Sequence, residues 1–552
     1  MAPGPTFARI LLARADDDAT ALLFEDERHT WAEVVAAARA RAALARDLLA
    51  DGAGPPHFGV LMDNIPEYVH WIGAAALSGT VLVGINPTRR GAGLAADIRH
   101  TDCRFVVTET RHLAELAGLG LGIPVLVTDD PAAPLDLARP DPSRAEPAPG
   151  DPLLLLFTSG STGAPKAVVC SQGRLAVIAE RGTALFDIGR RSVTYAAMPL
   201  FHGNSVMANL APAVHAGATV VLRRRFSASG FLPDVRRYGV TYVNYVGRAL
   251  AYILATPEGD GDAATPLARA FGTEASGPDM TAFARRFGCL VTESYGSSEG
   301  VISIRKTPGC PPDALGRPAD GARVTIRDPE TGRECAVARI DASGRVANPG
   351  EAVGEIVGEG VTGLFEGYYN NPEADAERLR GGMYYSGDLG YLDADGFVYF
   401  AGRGGDRLRV DGENFAAAPV ERVLARWPAA VMCAVYPAPD PRTGDQVMAA
   451  LEPRPGAGFD PAGFAAFLGS QPDLGTKWAP RFVRLVAEMP LTATGKVDKR
   501  PLRDAAWHTS DPVWWRPGRE TAYAPFTRAD ADALRAEFAR HGRTAVHPEV
   551  PG

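Results

Sequence analysis

Apolar residues recur along the first half of the chain in a pattern that predicts an α/β fold. Short apolar runs of strand length alternate with longer stretches of helical periodicity. Strands that alternate with helices favour a mainly parallel sheet with helices on both faces. The runs that predict strands are Phe58–Met62, Val81–Ile85, Val125–Thr128, Leu153–Phe157, Thr194–Met198, Ala218–Leu222 and Val240–Tyr245.

Beyond about residue 316 the apolar runs become shorter, and glycine, aspartate, asparagine and proline separate them. This pattern is typical of antiparallel strands joined by tight turns, so we expect a barrel-like subdomain at about 316–400. A smaller α/β unit with a helix near Pro419 follows it. The apolar runs of these two units are Val324–Arg327, Gly354–Val357, Phe397–Phe400, Val431–Tyr436, Val447–Leu451 and Phe482–Val486.

These patterns predict two domains and a tail. We expect an N-terminal domain at 1–402, which includes the barrel-like subdomain, a hinge at 403–405 and a C-terminal domain at 406–506. Residues 507–552 contain Trp514-Trp515 and an amphipathic stretch, Ala531–Phe538. We expect this tail to pack on the body of the protein.

The composition argues against several classes of protein. The chain has 552 residues and a formal net charge of -8, which gives no general attraction to nucleic acid. The most apolar stretch, Val69–Ile85, is interrupted by Ser78-Gly79-Thr80 and is too short for a membrane span, which leaves only peripheral membrane contact open. The six cysteines lack the spacing of a zinc site, and no signal peptide is recognisable. We therefore expect a cytoplasmic protein with reduced thiols.

Lysine is rare in this chain, which makes its positions informative. Of 57 basic residues only five are lysines, namely Lys166, Lys306, Lys477, Lys496 and Lys499. The ammonium group of lysine is a compact point charge on a flexible stem, which the planar guanidinium of arginine does not replace. Three of the five lie in two segments rich in glycine and threonine, and this singles those segments out for chemistry.

The first of these segments predicts a phosphate-binding loop. It reads Thr158-Ser159-Gly160-Ser161-Thr162-Gly163-Ala164-Pro165-Lys166 and follows the apolar run Leu153–Phe157 directly. Small residues expose backbone N–H groups and hydroxyls, which together with one lysine can surround a polyphosphate. The loop is not a P-loop of the GxxxxGK[ST] type. A flexible serine- and glycine-rich turn is the alternative interpretation.

This loop resembles the phosphate-binding signature of the adenylate-forming superfamily, which comprises acyl-CoA synthetases, adenylation domains and firefly-type luciferases. Other segments resemble the remaining signatures in the same order, so the resemblance covers nearly the whole chain. It implies a large N-terminal domain of mainly parallel αβα-layered sheets with a β-barrel-like subdomain, followed by a small mobile α+β domain. The segments are Met198-Pro199-Leu200-Phe201-His202, Gly272-Thr273-Glu274-Ala275, Tyr295-Gly296-Ser297-Ser298-Glu299, Tyr385-Ser386-Gly387-Asp388, Gly402–Asn414 and Thr494-Gly495-Lys496.

The resemblance also implies which residues bind ATP and Mg²⁺. Glu299 is the implied Mg²⁺ ligand, since this hard cation prefers oxygen ligands. Tyr295 is implied to offer its ring to adenine, and Asp388 and Arg403 are implied to bind the ribose. The implied nucleotide-binding residues are Thr158, Ser159, Gly160, Ser161, Thr162, Gly163, Lys166, Glu274, Ala275, Tyr295, Gly296, Ser298, Asp388, Arg403 and Lys496.

The catalytic residues that the resemblance implies are Lys496, Thr158, Glu299 and His202. Adenylation is the attack of an oxyanion on the α-phosphorus of ATP, so the site has to neutralise charge and hold the attack in line. Lys496 is implied to bridge the oxyanion and the α-phosphate, where it stabilises charge that develops in the transition state. Structural interpretations stay open: a core histidine for His202, a turn residue for Asp388 and a helix N-terminal carboxylate for Glu299.

Members of the superfamily carry out two half-reactions by rotating the C-terminal domain, which implies a hinge here. The hinge position falls on Gly405, where the broad family has Asp or Lys, and glycine absorbs large changes in backbone angles. Gly412, Glu413 and Asn414 are implied to replace the lysine loop in the second half-reaction. This region and the tail segment Trp514-Trp515-Arg516-Pro517-Gly518 resemble the fatty-acid-transport and very-long-chain acyl-CoA synthetase branch of actinobacteria.

The expected function is therefore ATP-dependent activation of an oxyacid as its AMP anhydride and transfer of the acid to CoA. One alternative is an enzyme that passes a carboxylate or nitrite to an amine or a carrier. The carboxylate of Glu274, near the acyl entrance, could narrow an apolar tunnel or meet an amine on the substrate, or it is the Glu-Ala of many adenylation domains. Another alternative is a non-catalytic nucleotide-binding regulator, although intact Lys166, Glu299, Asp388, Arg403 and Lys496 argue against it. The oligomeric state stays open, with a homodimer as one option.

Overall fold

A computed structural model gives the fold of the chain. It describes residues 4–138, 146–157, 166–246, 248–306, 309–311, 313–319, 322–342, 346–361, 364–403, 407–410, 413–442, 444–475, 477–492, 495–518 and 521–544. Within these residues the strands form five sheets of nine, six, five, five and two strands.

The first 171 residues build the six-stranded sheet and one edge of the nine-stranded sheet. The six-stranded sheet is parallel apart from one edge strand, and both faces of its central strands are buried, as expected for a sheet covered by helices. The elements are α1 (Phe7–Leu12), β1 (Thr20–Phe24), β2 (Glu27–Thr30), α2 (Trp31–Leu48), β3 (His57–Leu61), α3 (Pro66–Ser78), β4 (Val81–Gly84), α4 (Gly91–His100), β5 (Val106–Thr108), a 3₁₀ turn (Thr110–His112), α5 (Leu113–Leu116), β6 (Val125–Val127), β7 (Pro152–Phe157) and β8 (Ala167–Ser171).

The next segment, up to residue 318, completes the nine-stranded sheet. Its elements are α6 (Gln172–Phe186), β9 (Val193–Ala196), α7 (Gly203–Ser205), a π-helix (Val206–Leu210), α8 (Ala211–Ala216), β10 (Thr219–Leu222), α9 (Ala228–Tyr238), β11 (Tyr242–Val246), α10 (Arg248–Leu254), a 3₁₀ turn (Asp262–Ala264), β12 (Arg269–Thr273), α11 (Gly277–Phe287), β13 (Leu290–Tyr295), β14 (Ile304–Arg305) and β15 (Arg317–Pro318). The strand order is β15-β14-β13-β12-β11-β9-β10-β1-β2, and the six strands from β13 to β1 are parallel.

This parallel order positions the candidate site. Because parallel strands have their carboxyl ends at the same edge, the segments that follow them converge there. His202 follows β9, Glu274 follows β12, and Tyr295 is the last residue of β13. Three of the segments with family signatures therefore lie at one edge of the sheet.

An antiparallel sheet of five strands follows the nine-stranded sheet. Its elements are β16 (Arg323–Arg327), α12 (Pro349–Ala352), β17 (Gly354–Glu359), α13 (Pro372–Arg378), β18 (Leu379–Arg380), β19 (Met383–Leu392) and β20 (Val398–Arg403). The long strand β19 pairs with β17, β18 and β20. Its position at the centre of the sheet places Asp388 beside the end of β20.

The C-terminal part of the chain forms a five-stranded sheet, and the tail belongs to this sheet. The elements are β21 (Arg407–Val410), β22 (Glu413–Ala416), α14 (Ala417–Leu424), β23 (Ala430–Pro439), β24 (Asp445–Pro453), α15 (Pro461–Gly469), β25 (Phe482–Leu485), α16 (Lys499–Ala505), β26 (Val513–Trp515), β27 (Ala524–Pro525) and α17 (Arg528–Arg540). Strands β26 and β27 extend the order β23-β24-β25, and Leu534 and Phe538 of α17 lie in the same core as Phe482. In the part of the chain that the structure describes, no helix is long and apolar enough to cross a membrane.

The predicted strands occur where the apolar runs indicated them, with ends that differ by a few residues. One difference within the nine-stranded sheet concerns the run Thr194–Met198, because β9 already ends at Ala196. The side-chain amide of Asn64 donates a hydrogen bond to the carbonyl of Met198 at 2.7 Å, and Pro199 has no N–H to donate. The chain therefore leaves the sheet and turns toward His202.

Gly84, the last residue of β4, lies against the backbone of this turn, so its substitution tests how closely the turn is packed. An ideal Cβ at residue 84 would lie 2.8 Å from the carbonyl oxygen of Phe201 and 3.1 Å from its Cα. We expect Gly84→Ala to destabilise the protein by about 1–3 kcal/mol, because backbone has to move to accept the methyl group. Thermal unfolding measures this effect. The control is Gly150→Ala, which has no heavy atom within 4 Å, and equal midpoints for both variants would contradict the prediction.

Candidate active site

Lys496 lies in a tight turn of the C-terminal part and extends to the edge of the nine-stranded sheet. Leu491 and Val497 pair at the base of this turn. The Thr492 N–H donates to the Lys496 carbonyl at 2.7 Å, and the Lys496 N–H donates to Thr492 Oγ1 at 3.1 Å. The ammonium group of Lys496 is 2.6 Å from Oε1 of Glu274. The structure therefore brings the predicted catalytic lysine to the segment after β12.

Glu274 and Ala275 form the turn that receives this lysine. Glu274 has a φ of 68°, in the left-handed region, which costs a non-glycine residue roughly 1–2 kcal/mol. The Ala275 N–H donates to Oε1 of Glu293 at 2.7 Å, and the Tyr245 hydroxyl donates to the same oxygen at 3.3 Å. Glu293 thus anchors the turn from the neighbouring strand β13. Burial raises the pKa of Glu293 to about 7.

His202 is half-buried between the charged groups of the site. Burial, assisted by the ammonium of Lys496, lowers the pKa of His202 to about 4, while the carboxylates of Glu274 and Glu299 act in the opposite direction. The imidazole is therefore neutral at pH 7. The Asn204 N–H is oriented to donate to Nδ1 at 3.4 Å, which favours the tautomer with its proton on Nε2. The catalytic role that the resemblance implies for His202 stays a prediction.

Glu299 is buried next to Tyr368, a residue that the sequence did not single out. The Tyr368 hydroxyl donates to Oε1 of Glu299 at 2.5 Å. The ammonium of Lys166 lies 5.8 Å from the centre of the Tyr368 ring and 2.9 Å from Oε2 of Glu377. Glu299 lies in a turn rather than at a helix N-terminus, which argues against its structural interpretation. A carboxylate near a phosphate-loop lysine has the oxygen donors that Mg²⁺ prefers.

Tyr295 contacts Asp388, and the backbone of Arg403 lies beside Asp388. The Tyr295 hydroxyl donates to Oδ2 of Asp388 at 2.7 Å, and burial raises the pKa of Tyr295, so this donor keeps its proton. Asp388 lies within β19 rather than in a turn, and its Cα is opposite the Cα of Arg403 in β20. The roles of these residues toward adenine and ribose stay predictions.

Ser298 and Gly296 lie in the same segment as Glu299 and contact different neighbours. The Ser298 carbonyl accepts a hydrogen bond from the Arg174 guanidinium at 2.5 Å. Gly296 is exposed, and an ideal Cβ there would lie 3.5 Å from the Ile302 carbonyl. Arg174 is a further residue that the sequence did not single out, because arginine is the common cation of this chain.

Several predicted residues lie partly or wholly outside what the structure describes. For Arg403, Glu413 and Asn414 the backbone alone is described. Glu413 and Asn414 pair in β22 with Val410 and Arg409 of β21. Thr158, Ser159, Gly160, Ser161, Thr162, Gly163, Gly405 and Gly412 lie outside the described residues.

An apolar cavity lies behind the site, between the nine-stranded sheet and helices α9, α10 and α11. Its volume is only about 10 Å³, about the space that one water molecule needs. The described residues that line it are aliphatic or aromatic apart from Asn244. Met198 and Tyr245 are among them, so the cavity wall includes residues next to the His202 and Glu293 segments.

The raised pKa of Glu293 predicts a dependence of stability on pH. The folded state binds the Glu293 proton more tightly than the unfolded state, whose pKa is near 4.5. Its contribution to stability is therefore complete below about pH 4.5 and is lost as the pH rises through about 7. We expect Glu293→Gln to keep the hydrogen bond from Ala275 and to raise the midpoint of thermal unfolding more at pH 8 than at pH 5.

The control for this prediction is Glu258→Gln, which alters an exposed carboxylate paired with Arg285. Midpoints measured across the pH range should differ little between this control and the unmodified protein. A Glu293→Gln variant that behaves like the control would contradict the assigned pKa.

Comparisons with known proteins identify the family of the chain. The family model for the AMP-binding enzyme matches residues 12–369, and that for the AMP-binding enzyme C-terminal domain matches residues 419–496. A steroid-22-oyl-CoA synthetase of Rhodococcus jostii is 52% identical over 546 residues, which are 98% of each chain. A medium/long-chain-fatty-acid–CoA ligase, FadD17 of Mycobacterium marinum, is 45% identical over 93% of this chain and 99% of its own.

The solved structures show the same fold. The anthranilate CoA ligase AuaEII in complex with anthranoyl-AMP superposes with a TM-score of 0.79 and 23% identity over 92% of this chain and 98% of its own. The predicted superfamily and fold class are thereby confirmed. The chain belongs to the AMP-binding enzyme family, and it is an ATP-dependent, AMP-forming acid–CoA ligase that uses Mg²⁺.

Proposed function

We propose that the acid activated by this enzyme is a steroid carboxylic acid. The observation that carries this proposal is the 52% identity, over 98% of both chains, with a steroid-22-oyl-CoA synthetase. The apolar side chains between the sheet and helices α9–α11 support it, because a fused-ring acid buries a large apolar surface. The cavity of about 10 Å³ is far below the roughly 300–1,000 Å³ of ligand pockets, so these side chains have to move apart for an acid to bind there.

A linear medium- or long-chain fatty acid is the second candidate. It is favoured by the 45% identity with FadD17. The same apolar wall suits an alkyl chain, so the cavity alone does not separate the two acids. Transfer to an amine loses support, because the relatives with the higher identities are named for CoA ligation.

We assign the chemistry of adenylation to residues that meet at the sheet edge. Lys496 places its ammonium between the acid and the α-phosphate, where negative charge develops. Neutral His202 adds no further positive charge beside this ammonium. Tyr295 and Asp388 hold the nucleoside, and the Glu299 carboxylate holds Mg²⁺. The bound Mg²⁺ neutralises phosphate charge.

The role of Lys496 predicts a selective loss of activity. We expect Lys496→Ala to lower the rate of ATP–pyrophosphate exchange about 10²–10³-fold, because one donor to the developing charge is lost. Binding of ATP should survive, since other groups hold the nucleoside and phosphates. The matched control is Lys499→Ala, because Lys499 pairs with Glu421 inside the C-terminal part. Normal exchange in Lys496→Ala would contradict the assignment.

The proposed substrate class predicts the outcome of a substrate panel. ATP-dependent pyrophosphate release and CoA consumption are measured with a steroid C22 carboxylic acid, linear fatty acids, aryl acids and nitrite with an aryl amine. We expect kcat/KM for the steroid acid to exceed the others by at least about tenfold, which corresponds to about 1.4 kcal/mol of transition-state binding. A highest kcat/KM for a linear fatty acid would support the second candidate. A product formed with the amine instead of CoA would show that the acceptor is an amine.

A further inference from the structure

We propose that Glu274 is a positioning residue that holds Lys496 over the site before the acid binds, and that the carboxylate of the substrate takes over this ion pair. The inference rests on the role of Lys496 proposed above. It adds a second function to the segment after β12, which the resemblance implies only for nucleotide binding.

The first observation is the ion pair itself. It joins Oε1 of Glu274, after a strand of the nine-stranded sheet, to Nζ of Lys496, in the turn of the C-terminal part, over 2.6 Å. The Glu274 side chain is 47% exposed and that of Lys496 is 25% exposed, so another carboxylate can approach and displace Glu274. An ammonium group has three donors, which allows one anion to replace another without an unpaired intermediate.

The second observation is that the nine-stranded sheet fixes the position of Glu274 independently of the lysine. Its left-handed backbone is costly and persists only where the surroundings enforce it. The next residue, Ala275, is anchored through its N–H to Glu293, which also accepts the Tyr245 hydroxyl. The carboxylate is therefore presented by the large domain as a fixed partner for an incoming cation.

The third observation is the match in charge. The carboxylate of Glu274 offers Lys496 the same ligand as the carboxylate of an acid substrate. His202 lies close enough for both Lys496 and Glu274 to influence its pKa, so the ion pair sits beside the predicted acid pocket. Glu274 thus keeps the lysine at the place of reaction while that place holds no acid.

The test measures how far the C-terminal part closes on the large domain. Spin labels are attached to exposed positions in each part, Leu185→Cys and Ser470→Cys, and the distance between them is measured without substrate. The accessible native cysteines of this background, Cys310, Cys335 and Cys433, are replaced by serine. We expect Glu274→Gln to lower the ratio of closed to open molecules about threefold to fivefold, as is typical for a partly exposed ion pair.

The partner variant provides an internal check through a double-mutant cycle. We expect Lys496→Ala to shift the ratio to the same extent, and the double variant to add nothing, because both changes remove one interaction. The matched control is Tyr252→Phe, which removes the hydroxyl placed 3.4 Å from Oε2 of Glu452, another contact between the two parts. Added to each member of the cycle, Tyr252→Phe should leave the coupling between Glu274→Gln and Lys496→Ala unchanged.

A second readout separates holding the lysine from a general structural role. AMP and the acid with the highest pyrophosphate release in the panel above should restore the closed population in Glu274→Gln but not in Lys496→Ala. An unchanged ratio in Glu274→Gln, additive effects in the double variant or no restoration by the acid would each overturn the proposal. Failure of the assignment of Lys496 would appear separately, as normal pyrophosphate exchange in Lys496→Ala. If Glu274→Gln does not fold, Glu274→Asp replaces it, because its shorter carboxylate keeps the charge but weakens the contact.

Discussion

The parallel pairing of β9, β11, β12 and β13 is the constraint on which the site depends. Gly272 of β12 is in register with Glu293 of β13, and this register brings the carboxylate of Glu293 to the N–H of Ala275. Gly272 also has to be glycine, because a Cβ there would lie 2.4 Å from the Tyr245 carbonyl oxygen on β11. A shift by one residue would turn Glu293 to the other face of the sheet and release the turn that carries Glu274.

The charged groups at this edge of the sheet influence one another's pairing and protonation. Lys496 faces Glu274, Glu299 accepts from Tyr368, and both carboxylates lie near a histidine that stays neutral. A protonated His202 would stand beside the ammonium of Lys496 and compete with it for the same carboxylates. Burial prevents this, so the ammonium of Lys496 meets Glu274 without a second positive charge on His202.

The sequence predicts the elements of this fold far better than it predicts the contacts between them. Apolar runs locate the strands, and the family signatures locate Lys496, Glu299 and Asp388, because each signal is contained in a few consecutive residues. The pairs Lys496–Glu274 and Glu299–Tyr368 join residues 222 and 69 positions apart, and no local pattern encodes such a distance. Glu293 could have been singled out only as a carboxylate two residues before Tyr295 within an apolar strand.

The apolar cavity is lined by signature and non-signature segments together. Its lining comes from β9, β11, α9, α10 and α11, and from Met198 in the signature segment that ends at His202. The solved structure of AuaEII shares the fold at 23% identity, but a shared fold does not determine which side chains line the cavity. Identity of 52% over 98% of both chains goes far beyond a shared fold, and the proposal of a steroid acid rests on it.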